Sequence, residues 1–232
     1  MLPERRAVVF DLDDTLYPYR RFVVSGFAAA AVHLHRTCGV DQRLAIRTLI
    51  GAFNGPHRGR EVQACLEALD LPADLAPALV TIVRSHRPAL LLPHPSRHVL
   101  VTLRAGGWRL GVLTNGPAAI QSRKVAAMRI EQYVDRVVYA TECGSGAGKP
   151  EPEPFAEIAR QLDVPPSHTV FVGDDEVCDV EGAARAGMLP VRCAVWTTRR
   201  GATTSAAVID QLSHVPLIAR TLLEEAVSRH AA

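Results

Sequence analysis

The chain has 232 residues, 48% of them hydrophobic and 22% charged, with a formal net charge of +2. That length suits one large domain or a core carrying a sizeable insertion, and the balance is that of a globular chain rather than a disordered one. A near-neutral chain without a concentrated basic patch argues against a dedicated binder of nucleic-acid polymers. The apolar run that ends in Phe10 is closed by Asp11 and is far too short for a signal-peptide core. No stretch reaches the ~20 apolar residues of a membrane helix, so no membrane partner is expected. Cys38, Cys65, Cys143, Cys178 and Cys193 are an odd, scattered set without zinc-ligand spacing. They read as reduced, mostly buried thiols of a cytoplasmic protein.

Taken in chain order, residues 7–10 form a short β-branched run that predicts a strand. Helix-like apolar spacing follows at 22–36, 42–53, 61–69 and 75–85. Gly39, the Asn54-Gly55-Pro56 turn and Leu71-Pro72 punctuate these segments. This is a small all-helical insertion just after the first strand, and Pro88, Pro93 and Pro95 mark the return to the core. Strands are then predicted at 109–113, 136–140, 169–172 and 191–195. They alternate with helices at 117–128, 153–162 and 179–186, and a packing helix closes the chain at 215–230. Such alternation predicts an α/β fold with a mostly parallel sheet, whose strands are buried on both faces, as Val170-Phe171-Val172 suggests. The expected division is a core of residues 1–18 and 93–232 and a helical insertion of 19–92.

Ligands of parallel α/β sheets bind outside the carboxyl ends of the strands. The residues there are Asp11-Leu12-Asp13-Asp14-Thr15-Leu16, Thr114-Asn115-Gly116, Gly148-Lys149-Pro150 and Gly173-Asp174-Asp175, with Asp179 a turn further on. Carboxylates converging on one sheet edge repel one another unless a cation neutralises them. A hard divalent cation suits an all-oxygen donor set, and few protein carboxylates suit Mg²⁺. Mg²⁺ with a nearby lysine and hydroxyl is a constellation for handling phosphate.

Asp11-x-Asp13-x-Thr15, Thr114, Lys149-Pro150 and Gly173-Asp174 with Asp179, four motifs in order, resemble the haloacid dehalogenase (HAD) superfamily of hydrolases. The resemblance covers essentially the whole chain. It implies a Rossmann-like parallel core, with the helical insertion as a cap over the site. Within that family Asp11 corresponds to the nucleophile and Asp13 to the general acid and base. Asp11, the backbone carbonyl of Asp13 and Asp174 correspond to the Mg²⁺ ligands, with Asp179 supporting the metal site through its waters. Thr114 and the backbone N–H of Asn115 would bind the transferring phosphoryl group, and Lys149 would neutralise its charge. Asp14 and Asp175 read as structural or supporting. In the cap, His57, Arg58, Arg20 and Arg21 are candidates to meet an anionic substrate, and each is equally well an ordinary surface residue.

The implied activity is Mg²⁺-dependent hydrolysis of a small phosphorylated metabolite through an aspartyl-phosphate intermediate. The opening Asp-Leu-Asp-Asp-Thr-Leu-Tyr-Pro is similar to the branch containing pyrimidine 5′-nucleotidases, so a nucleoside 5′-monophosphate is the first expectation. A haloacid dehalogenase, a phosphomutase and a non-catalytic phosphometabolite sensor are the alternatives. Asp13 and the acids around Asp174 argue against the dehalogenase, which has no leaving alcohol to protonate and needs no Mg²⁺.

Overall fold

The computed structural model describes residues 5–196 and 205–230. Residues Tyr19–Leu90 form one compact unit, and the chain on either side of them forms a second.

The second unit is built on six strands: β1 (Ala7–Phe10), β2 (Arg109–Thr114), β3 (Arg136–Tyr139), β4 (Thr169–Gly173), β5 (Leu189–Cys193) and β6 (Ala207–Ile209). They pair in the order β3-β2-β1-β4-β5-β6, every pair parallel. The fold is thus the expected α/β, Rossmann-like parallel sheet. Every residue of β1 and β4 is buried, which is why these strands read as unbroken apolar runs. Phe10 lies in register with Val112 of β2 and Val172 of β4. The chain therefore leaves the three central strands at one level, with Asp11, Thr114 and Gly173 on a common edge.

The helical unit comprises α1 (Arg20–Cys38), α2 (Gln42–Asn54), α3 (Glu61–Ala68) and α4 (Ala76–Ser85). Gly39 ends α1 at φ 73°, a left-handed conformation that glycine adopts without steric cost. Asp41 caps α2 by accepting a hydrogen bond from the Leu44 amide at 2.8 Å. Phe27, Leu34, Leu49, Leu66 and Leu79 give this unit a hydrophobic core of its own.

The chain returns to the sheet unit through α5 (His94–Ala105), followed by α6 (Ala118–Met128), α7 (Pro152–Leu162), α8 (Gly182–Arg185) and α9 (Val215–His230). The sequence predicts no helix at α5, where Pro93 and Pro95 mark only the return to the core. They stand at the cap and first turn, where a helix has no use for the missing N–H. Ser96, Val99, Leu100 and Leu103 then supply its buried stripe. The segment expected as a helix from 179 starts earlier, as a π-helical turn at Glu176–Glu181 that runs into α8. β5 begins at Leu189 and takes in Pro190, tolerated near a strand start. β6, a three-residue edge strand, carries no sequence signal of its own.

Phe155 of α7 packs edge-on to Phe171 of β4 with centroids 5.1 Å apart. Ile158, Leu162 and Met188 complete this part of the sheet core. Phe155→Ala is expected to lower stability by about 3–5 kcal/mol, the usual cost of an emptied aromatic site. A urea denaturation series measures it, and a loss below about 1 kcal/mol would contradict this packing.

Candidate active site

Asp11 is fixed at the end of β1 because its amide continues the ladder, donating to the Val172 carbonyl at 2.9 Å. Its Oδ1 accepts from Lys149 Nζ at 2.6 Å. The same ammonium donates to Asp179 Oδ1 at 2.6 Å and to the Leu113 carbonyl at 3.1 Å. It also lies 5.4 Å from the centroid of the Phe171 ring. Lys149 and both of its carboxylate partners are buried.

The loop carrying Lys149 is locked by Asn115. Asn115 Nδ2 donates to the Lys149 carbonyl at 2.9 Å, and the Lys149 backbone N–H donates to Asn115 Oδ1 at 2.7 Å. Gly148 makes this clasp possible. Its φ is +79°, and a Cβ there would stand 2.5 Å from Asn115 Oδ1. The Asn115 side chain thus braces the lysine loop, a contact the sequence reading did not foresee.

Asp179 is buried after the fourth strand. Its Oδ2 accepts from the Asp175 amide at 3.0 Å. Gly173 leaves room for it, since a Cβ at that position would lie 2.4 Å from the Asp179 carboxyl carbon. Asp175 caps the π-helical turn, accepting from the amides of Val177 and Cys178 at 3.1 and 2.8 Å. Asp14 occupies a left-handed turn at φ 55°, closed by its amide donating to the Tyr17 carbonyl at 2.9 Å.

One carboxylate oxygen from each of Asp11, Asp174 and Asp179 lies within 4.8 Å of the others. Burial pushes the Asp174 carboxyl up to about 8, helped by the charges of Asp11, Asp179, Asp14 and Asp175. Burial also raises Asp11, with Lys149 pulling against it and Asp179 and Asp13 adding to it. For Lys149 burial works against the charge, and the carboxylates of Asp11 and Asp179 outweigh it, so the ammonium is held well above its ordinary value. Three acids share one lysine. The surplus negative charge and all-oxygen donor set of Asp11, Asp174 and Asp179 fit a hard divalent cation.

Asp13 belongs to a second cluster. Its Oδ2 accepts from Lys124 Nζ at 2.6 Å and from Gln121 Nε2 at 3.1 Å. Its Oδ1 accepts from the Tyr17 hydroxyl. Gln121 Nε2 also donates to Thr114 Oγ1 at 2.6 Å, which brings Thr114 into the same network. Gln121 and Lys124 were absent from the sequence reading, although a signal existed. With Val125 and Met128 they occupy the buried stripe of α6 at the spacing where apolar residues belong.

Of the cap candidates, Arg20 donates to Asn54 and lies 5.8 Å from the Phe53 ring, and Arg58 stacks on the same ring at 4.8 Å. Arg21 and His57 are exposed. All four lie in the helical unit.

The raised Asp174 carboxyl has a consequence for the metal-free protein. A group with pKa near 3.8 unfolded and about 8 folded binds its proton more tightly in the fold, so stability falls as pH rises across that window. Asp174→Asn removes the charge that must be buried. The variant's melting temperature in EDTA is expected to match the parent near pH 4 and to exceed it by a few degrees above pH 8. A variant that melts lower at pH 8 would contradict the electrostatic account.

The model of one family, described as haloacid dehalogenase-like hydrolase, matches residues 5–187. A glyceraldehyde 3-phosphate phosphatase of Methanopyrus kandleri is 33% identical over 196 residues, covering 81% of this chain and 83% of its own. Among solved structures, a HAD phosphatase of Thermococcus onnurineus superposes with a TM-score of 0.61 at 26% identity, covering 92% of this chain and 97% of that one. A 2-haloacid dehalogenase of Pseudomonas syringae superposes with a TM-score of 0.64, also at 26% identity, covering 94% and 99%. The chain belongs to the haloacid dehalogenase-like hydrolase family, as an enzyme of the phosphatase kind.

Proposed function

We propose that the chain hydrolyses small phosphate monoesters through a phosphorylated Asp11, with a divalent cation, Mg²⁺, bound beside it. The observation that carries this reading is the cluster of buried Asp11, Lys149 and Asp179 with half-buried Asp174, on the same sheet edge as Asp13 and Thr114.

Asp11 attacks phosphorus, forming an acyl phosphate as the bond to the leaving oxygen breaks. Asp13 delivers a proton to that oxygen. It then takes a proton from the water that attacks phosphorus, and the Asp11–phosphorus bond breaks to release inorganic phosphate. Gln121 donates to Thr114 Oγ1, so the Thr114 hydroxyl hydrogen is available to a phosphoryl oxygen. The Asn115 backbone N–H, in the loop between β2 and α6, offers a second donor. Lys149 favours the ionised form of Asp11 against its burial and offsets charge spread over the transferring group. The cation, held by Asp11, Asp174 and the Asp13 carbonyl, would neutralise phosphoryl charge as a Lewis acid.

The helical unit interrupts the chain just after the loop carrying Asp11 and Asp13. We assign it the role of a cap that admits small esters and selects among them. Similarity to a glyceraldehyde 3-phosphate phosphatase favours a short phosphorylated carbon chain over the nucleoside 5′-monophosphate expected from the opening motif. The deciding experiment is a phosphate-release panel of triose phosphates, phosphoglycolate, phosphoserine and nucleoside monophosphates, with and without Mg²⁺. Similarity to a 2-haloacid dehalogenase makes halide release from haloacids the control. Halide release without phosphate release would overturn the proposal.

Asp11→Asn is expected to fold and to lose turnover by roughly 10⁴-fold or more, as removal of a nucleophile does. Phosphate release near the wild-type rate would take the nucleophile's role from Asp11. EDTA is expected to stop hydrolysis and Mg²⁺ to restore it. Ca²⁺, with longer bonds and more ligands, should restore little, because it would misalign Asp11 with phosphorus. Full activity in Ca²⁺ alone would remove that geometric argument.

A further inference from the structure

We infer that Gln121 and Lys124 are positioning residues for the proton transfers of Asp13, a role that rests on the phosphatase reading above. Lys124 and Gln121 both donate to Asp13 Oδ2, and the Tyr17 hydroxyl donates to Oδ1. A carboxylate gripped on both oxygens cannot turn about its own axis, so the protein sets the face it presents. Burial identifies that face. The Lys124 side chain is 3% exposed and that of Asp13 26%. The lysine therefore grips from the interior, and the open side of the carboxylate is left for a reacting group. Lys124 itself is too buried to touch a substrate, so it acts through Asp13.

Gln121 extends the arrangement. Its amide nitrogen also donates to Thr114 Oγ1 at 2.6 Å, so one side chain orients both the hydroxyl and the carboxylate. Packing alone does not call for these residues. They stand in the buried stripe of α6 beside Val125 and Met128, where apolar side chains of similar volume would fill the space. Replacing a buried ion pair by apolar residues is often neutral or stabilising, so the pair is better explained by the geometry it enforces.

The test is Lys124→Met, which keeps the apolar stem and removes the donor, with folding checked by its melting curve. It is assayed on an alkyl and an activated aryl phosphate that the wild-type chain turns over. A misplaced proton donor should slow the single-turnover first step by roughly 10–100-fold on the alkyl ester and by less than about 3-fold on the aryl ester. KM should stay within about 3-fold. In an Asp13→Asn background, adding Lys124→Met should cost less than about 3-fold more on the alkyl ester, because the group it orients is already gone. Equal losses on the two esters, or a full additional loss in the Asp13→Asn background, would overturn the inference and make Lys124 a structural support. Should Lys124→Met not fold, Lys124→Arg keeps the charge and shifts the donor. A loss confined to the alkyl ester then supports the inference, and a uniform loss overturns it. Turnover that survives Asp11→Asn sinks the underlying phosphatase reading in a separate variant, so the two failures are told apart.

Discussion

The site is organised around one buried ammonium. Lys149 sits between Asp11 and Asp179, 2.6 Å from each, and each depends on the other two being in place. Unpaired charge in that interior would cost several kcal/mol, so removing Lys149 would leave two buried carboxylates without their counter-charge. Much of the surrounding backbone serves this contact. Asn115 braces the lysine loop, Gly148 and Gly173 give up their side chains to make room, and the Asp175 amide steadies Asp179.

The second cluster has a different character. Asp13 is partly open and is held by neutral donors as well as by a buried lysine. The two clusters divide the work between them. In the mechanism we propose, the Lys149 cluster fixes where negative charge sits, and the Asp13 network fixes where protons travel. Thr114 lies next to both, since β2 delivers it to the same edge and Gln121 ties it to Asp13.

Much of this was legible in the sequence, for identifiable reasons. Strands buried on both faces, such as β1 and β4, are continuous apolar runs, and the residues that follow them announce the catalytic edge. Lys149 could be named from its motif, but its two-carboxylate bridge could not, because nothing in a linear chain says that Asp179 returns to meet it. Gln121 and Lys124 escaped notice because amphipathic reading treats polar residues as outward-facing. Here the buried stripe itself is polar. α5 was hidden by prolines that open a helix as readily as they end one. The π-helical turn was hidden because its backbone follows the Asp175 cap rather than any apolar periodicity.

The topology also bears on how the chain is made. β1 is synthesised before the strands it pairs with and is third in the sheet order, and its partners begin only at Arg109 and Thr169. The helical unit lies wholly between β1 and β2, carries its own core and depends on contacts close in sequence. On a ribosome the helices can therefore collapse early, while β1 waits unpaired with a fully apolar face on each side. Four residues is a short strand for the centre of a sheet, and that brevity limits how much adhesive edge the nascent chain exposes during the wait. The Asp11 that closes the strand adds a charge at its end, so the residue central to the site also guards the strand before there is a site.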